Sequence, residues 1–128
     1  MAYTIDRILT GCTMEEAEAR TRAALGERGF GVLTEIDVQA TMKAKIGEDL
    51  PCYKILGACN PKLAFQAIGA EPRIGAMLPC NVILREVEGG VEVSAVDPIA
   101  SMSAVENPSL GEIAGGVRGL LEEAVAAL

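Results

Sequence analysis

The chain predicts an α+β fold, with one antiparallel-dominated sheet and helices packed on one of its faces. Three observations carry this reading. The elements run strand, helix, strands, helix, hairpin, helix, without the βαβ regularity that builds a parallel sheet. Two apolar segments flank Glu88-Gly89-Gly90, the mark of a hairpin. Half of the residues are hydrophobic, yet the aromatics are only Tyr3, Phe30, Tyr53 and Phe65, so the core is aliphatic. A chain of 128 residues reads as one α+β domain, 1–128. At this length it buries roughly two-thirds of its unfolded surface and needs no metal or disulfide to hold a core.

Each element has a local cause. Residues 2–10 alternate weakly, with Tyr3, Ile5 and Leu9 on one side, and read as a strand. Thr13-Met14-Glu15-Glu16 is a capping box, in which Thr13 caps the first amides and Glu16 reaches back. Met14, Ala17, Thr21, Ala24 and Leu25 then recur at helical spacing. Glu15, Glu16 and Glu18 precede Arg20, Arg22 and Arg28, the order that suits a helix dipole. Gly29 is the expected stop. Val32, Thr34, Ile36 and Val38 alternate with Leu33, Glu35, Asp37 and Gln39 as a strand. Residues 41–46 suit a helical turn or two before Gly47, and Tyr53–Cys59 is the next strand. Asn60-Pro61, Asp97-Pro98 and Asn107-Pro108 place a capping side chain directly before proline. Proline suits the first helical position because its missing N–H has no partner to lose.

Ala76–Val87 and Val91–Val96 are the hairpin strands. Leu78, Cys80, Val82 and Leu84 share one face of the first, and Val91, Val93 and Ala95 share one face of the second. A four-residue loop sets Leu84 opposite Val93, Val82 opposite Ala95 and Cys80 opposite Asp97, and a shorter loop shifts that register. The last helix runs from Pro108 towards Leu128. Its apolar stripe is Leu110, Ile113, Ala114, Val117, Leu120, Leu121, Ala124 and Leu128. Gly111, Gly115 and Gly119 recur along it, with Gly116 beside them. Each costs about 1 kcal/mol against alanine, so close approach of the sheet or of a second subunit is one explanation and sequence drift the other.

Composition excludes several activities. The formal net charge is −7, and the chain has no basic run, which disfavours nucleic acid and anionic membranes. No apolar run approaches the ~20 residues of a membrane span. The start, Met1-Ala2-Tyr3-Thr4-Ile5-Asp6-Arg7, lacks a signal-peptide pattern. The expectation is therefore a cytoplasmic protein with reduced cysteines. There is no histidine, so Cys-His and Ser-His-Asp arrangements are impossible as such. Cys12, Cys52, Cys59 and Cys80 match neither a zinc template nor a C-x-x-C redox motif. No cofactor is implied.

Four blocks make the sequence recognisable: Glu27–Val38, Tyr53–Pro61, Ile74–Val82 and Val96-Asp97-Pro98. They resemble the bacterial and archaeal family called domain of unknown function 302, over nearly the whole chain. The resemblance implies a two-layer α/β sandwich of TATA-binding-protein-like fold, assembled as a homodimer. It supplies no activity and no catalytic residue, so whether the protein is an enzyme stays open. Cys59 and Cys80 fall inside the blocks that carry the resemblance, whereas Cys12 and Cys52 fall outside them.

The remaining chemical lead is a pair of similar segments, Gly57-Ala58-Cys59-Asn60-Pro61 and Leu78-Pro79-Cys80-Asn81-Val82. Thiols are the common side chains here that titrate near neutral pH once perturbed. Cys59 directly precedes a helix start, where unpaired amides favour a thiolate. Cys80 is a small core hydrophobe if its face is the core face, and both cysteines read equally as packing residues. The candidate ligand-binding set is Cys59, Asn60, Cys80 and Asn81, for a small molecule or a soft metal such as Cu(I). The alternatives are a thiol-dependent enzyme acting through Cys59, by sulfur transfer or redox chemistry, and a structural or regulatory homodimeric subunit. Asn60 and Asp97 also read simply as caps. Asn81 points to the face opposite Cys80. Lys54 reads as a snorkelling side chain or an anion ligand, and Glu35 with Asp37 as a solvated strand face or an acid–base pair.

Overall fold

A computed structural model describes residues 2–128. Five strands form one sheet in the order β1-β5-β4-β3-β2, antiparallel at every pairing. They are β1 (Thr4–Thr10), β2 (Gly31–Asp37), β3 (Tyr53–Cys59), β4 (Cys80–Val87) and β5 (Gly90–Val96). The helices are α1 (Met14–Gly26), α2 (Val38–Ile46), α3 (Pro61–Ala70), α4 (Pro98–Ser101) and α5 (Pro108–Ala126), with a 3-10 turn at Pro72–Met77. The fold is the expected α+β sandwich. β1 and β2 are opposite edges, so α1 carries the chain across the sheet between them.

Alternation on the strands creates the core. Leu9, Leu56, Ala58, Val82, Leu84, Val91, Val93 and Ala95 are buried on one face. They pack with Ala17, Ala24 and Leu25 of α1 and with Val117, Leu121, Ala124 and Val125 of α5. Arg7 joins that face at the β1 edge, where its guanidinium donates to the carbonyls of Val125 and Ala126 at 3.2 and 2.7 Å. There it adds a charged donor to carbonyls at the end of α5, where the helical ladder runs out.

The caps form as their residue types require. Thr13 and Glu16 make the reciprocal capping box, each bond 3.1 Å. Asn60, Asp97 and Asn107 accept from the amides of Leu63, Ile99 and Ser109. The chain after Gly26 is a turn in which Gly29 has φ +82°, so the helix stops three residues before the expected glycine. Arg28 lies beyond the helix but still donates to Ala24 O at 3.2 Å.

Two boundaries move. Val38 opens α2 instead of ending β2, because Asp37 caps the helix by accepting from Ala40 N at 2.9 Å. Residues 72–77 wind into the 3-10 turn, so β4 begins at Cys80 and not at Ala76. The hairpin pairs Leu84 with Val93 and Val82 with Ala95 through a tighter turn, since Val87 already faces Gly90. The described β4–β5 ladder stops at Val82–Ala95. Cys80 therefore faces Ala58 of β3, while Asp97 turns away, its amide donating to Tyr3 O at 2.8 Å. The glycines of α5 do not serve close packing within the chain. A methyl group added at Gly111, Gly115, Gly116 or Gly119 meets nothing within 4 Å.

Candidate functional site

Cys59 and Cys80 arrive at one place by different routes. Cys80 is the first residue of β4 and, through Ala58, faces the core side of β3. Cys59 is the last residue of β3, directly before Asn60 and the proline that opens α3. Both line a partly open cavity of about 30 Å³ flanked by α3 and α5. Phe30, Ala67, Pro79, Met102 and Val117 complete much of its wall. Among the described residues lining it, none carries a formal charge at neutral pH, and the surface is almost wholly apolar.

Gly57 and Pro79 set this geometry. Gly57 lies between Thr34 of β2 and Asn81 of β4. A methyl group there would overlap the Thr34 hydroxyl and sit 2.7 Å from Pro79 Cγ. Only a residue without Cβ lets the 78–79 segment lie on the sheet. That approach delivers Cys80 to the inner face.

The four candidate residues do not all converge. Cys80 is 7% exposed, and burial pushes its thiol up to about 11, with the neighbouring Cys59 adding to the effect. At neutral pH it is an S–H group in an apolar wall. Cys59 is half-buried. Asn60 lines the cavity, but its amide is committed: Oδ1 accepts from Leu63 N at 3.3 Å and Nδ2 donates to Arg28 O at 3.5 Å. Asn81 is exposed, on the opposite face of β4, and is not a lining residue.

The remaining cysteines lie elsewhere. Arg20 donates to the Cys12 sulfur at 3.0 Å. Burial raises the Cys52 thiol, with Asp37 and Glu86 adding to it.

Lys54, read from sequence as a snorkelling or anion-binding residue, is fully engaged. Its ammonium is 2.7 Å from Glu18 and 2.8 Å from Glu35. Arg22 bridges the same two carboxylates at 2.9 and 2.8 Å. Hydrogen bonds to Glu18 and Glu35 raise the Lys54 pKa, and the bond from Lys54 lowers that of Glu18 despite burial. The network ties α1 to β2 and β3. Asp37 and Asp97 are caps, and Asp97 also accepts from Arg118 at 2.9 Å.

Met102 is the sulfur-bearing lining residue that sequence reasoning missed. It follows the short α4 and packs with Ala67, Ile74, Leu110 and Ala114. Nothing in its sequence neighbourhood places it beside Cys59 and Cys80. The available signal was the Asp97-Pro98 cap, which turns the chain back beneath α5.

A family model described as "Domain of unknown function DUF302" matches residues 7–128. The chain belongs to the DUF302 family. Its fold is that of the uncharacterized conserved DUF302 protein from Bacillus stearothermophilus, known from a crystal structure, with a TM-score of 0.92. The two are 23% identical, over 99% of this chain and 98% of the other. No curated protein matches the chain. DUF302 membership brings no assigned function, and none is assignable from it. Among the described residues of this DUF302 chain, no helix is long and apolar enough to cross a membrane. No group of three or more His, Cys, Asp or Glu residues suited to a metal is found among them either.

Proposed function

We propose that the chain binds a small soft ligand, in the simplest case a monovalent ion of the Cu(I) type, between Cys59 and Cys80. The observation that carries this reading is that both cysteines line one cavity of about 30 Å³. Size and polarity narrow the occupant. Drug-sized ligands need roughly 300–1,000 Å³. A water molecule needs two to four polar partners, and the one amide in the wall is already engaged in capping. Hard cations need oxygen donors. Thiols suit a soft ion.

Thermal unfolding with and without Cu(I), under reductant, tests the reading. Free ion at about 100 times its Kd stabilises by about 2.7 kcal/mol, and Cys59→Ala with Cys80→Ala abolishes the shift. Equal melting with and without the ion sinks the reading. The alternative, a thiol enzyme acting through Cys59, needs a proton acceptor beside the sulfur, and the uncharged wall favours binding over that chemistry. It predicts rapid alkylation of Cys59 well below the ordinary thiol pKa of about 8.5.

A second observation favours a homodimer. The face of the sheet away from α1 and α5 carries Ile36, Ile55 and Ile83 in one ladder row. Ile36 and Ile8 are 47% and 55% exposed. A half-solvated antiparallel sheet normally presents polar residues outward. Five strands of seven or eight residues present roughly 600 Å² per copy at the usual strand spacings, which approaches the ~800 Å² per partner of a standard interface. Sedimentation should give a dimer that Ile55→Asp with Ile83→Asp dissociates, and a monomeric wild type refutes it. A reducing compartment such as the cytoplasm would keep the thiols free. The acidic charge argues against nucleic-acid partners.

A further inference from the structure

Met102 is 8% exposed and lines the cavity together with Cys59 and Cys80. It also lines a neighbouring groove of about 280 Å³ with Ile99, Ser103, Asn107 and Leu110. Cavity and groove share Met102 and Ala114. Met102 and Ala114 thus lie where two partly open spaces adjoin.

We propose that Met102 is the third sulfur ligand of a Cys59–Cys80–Met102 site for a soft monovalent cation. This rests on the soft-ion reading above. Its thioether closes the coordination.

Donor chemistry supports the assignment. Among the described residues lining the cavity, Cys59, Cys80 and Met102 carry the sulfurs, and Asn60 is committed to the α3 cap. Thiolate and thioether donors select Cu(I)-type ions. Charge supports it as well. Any thiol proton leaves to solvent on binding, so two thiolates and one monovalent cation leave a single net negative charge, with no electron transferred. A third anionic ligand would deepen a charge that a low-dielectric wall penalises. A neutral thioether completes the site without adding to it. Methionine also has the torsional freedom to bring its sulfur onto an ion held by the two thiols.

The test is Cu(I) competition against a chromophoric chelator under anaerobic reductant, with X-ray absorption counting sulfur neighbours in the wild-type protein. The expected result is one ion bound with three sulfurs. Met102→Leu keeps the packing within about 1.5 kcal/mol. It should weaken binding by at least the roughly tenfold typical of losing a ligand's outer partner and leave two sulfurs. Unchanged affinity in Met102→Leu, or two sulfurs in the wild type, overturns the third-ligand assignment while the two-thiol reading stands. A wild type that takes up no Cu(I) overturns both.

Discussion

Replacing Gly57 by alanine should disturb the candidate site by pushing on Pro79 in its wall. The new methyl carbon would sit 2.7 Å from Pro79 Cγ and overlap the Thr34 hydroxyl. Carbon atoms pack best at about 3.5–4.0 Å, so Pro79 must retreat by about 1 Å. Overpacking costs about 1–3 kcal/mol, two overlaps at once place this case at about 2–3 kcal/mol of that range, and the loss of unfolded-chain freedom returns about 0.4–1 kcal/mol. The net expectation is a loss of about 1–2.5 kcal/mol, or roughly 3–10 °C in Tm for a chain of this length. Urea and thermal unfolding followed by circular dichroism measure it. Thr34→Ala removes the nearest obstacle, so in that background the cost of Gly57→Ala should fall by about 1 kcal/mol, read as a double-mutant coupling. Because Pro79 leads directly into Cys80, Gly57→Ala should also speed alkylation of Cys80. Wild-type melting, or strict additivity with Thr34→Ala, refutes the argument that Gly57 is there to admit the 78–79 segment.

Cys80 should react with iodoacetamide far more slowly than Cys59 at pH 8, as mapped by mass spectrometry. Its thiol, raised from 9.0 to about 11, favours the folded state at lower pH and loses that contribution as pH climbs from about 9 through 11. Against Cys80→Ala, the wild type should lose about 2–3 kcal/mol across that window in urea melts, and parallel curves refute the burial argument. At the opposite end, the Glu18 pKa is lowered from 4.5 by its bond from Lys54. Its contribution is therefore present above pH 4.5 and fades as pH falls through the lowered value. Lys54→Met should cost about 1–2 kcal/mol at pH 7, with the deficit shrinking in acid. A deficit independent of pH would place the effect in packing. Asp97→Asn keeps an effective cap and loses the Arg118 ion pair, so it should cost under about 1 kcal/mol, while Asp97→Ala adds about 1 kcal/mol for the cap. Equal unfolding midpoints for the two variants would show that the cap contributes nothing.

Local chemistry made much of the fold readable. The capping box at Thr13 and the three cap-proline pairs act through hydrogen bonds spanning two or three residues, so their effect lies within a short stretch of sequence. The β4–β5 face was readable because strand alternation has a fixed period. The start of β4 was not, since Ala76 and Met77 fit an apolar strand as well as they fit the turn begun by Pro72. Register decided the rest. Cys80 meets Ala58 because β3 and β4 pair in one particular alignment, and no pattern within either strand specifies it. Met102 reaches the cavity only after α4 turns the chain and α5 packs over α3, which makes its position a product of tertiary packing.

The two Cys-Asn segments show why likeness in sequence does not guarantee likeness in space. In the first, β3 ends at Cys59, and Asn60 is free to leave the pleat and cap α3. In the second, β4 begins at Cys80, and Asn81 must obey the two-residue period. The dipeptide that keeps Asn60 beside its cysteine therefore throws Asn81 to the far face of the sheet. What unites the segments is the position of each cysteine at the same end of neighbouring antiparallel strands, one leaving the sheet and one entering it. Any ligand held there must accordingly be recognised by sulfur, because the geometry that brings the two thiols together removes one asparagine and occupies the other.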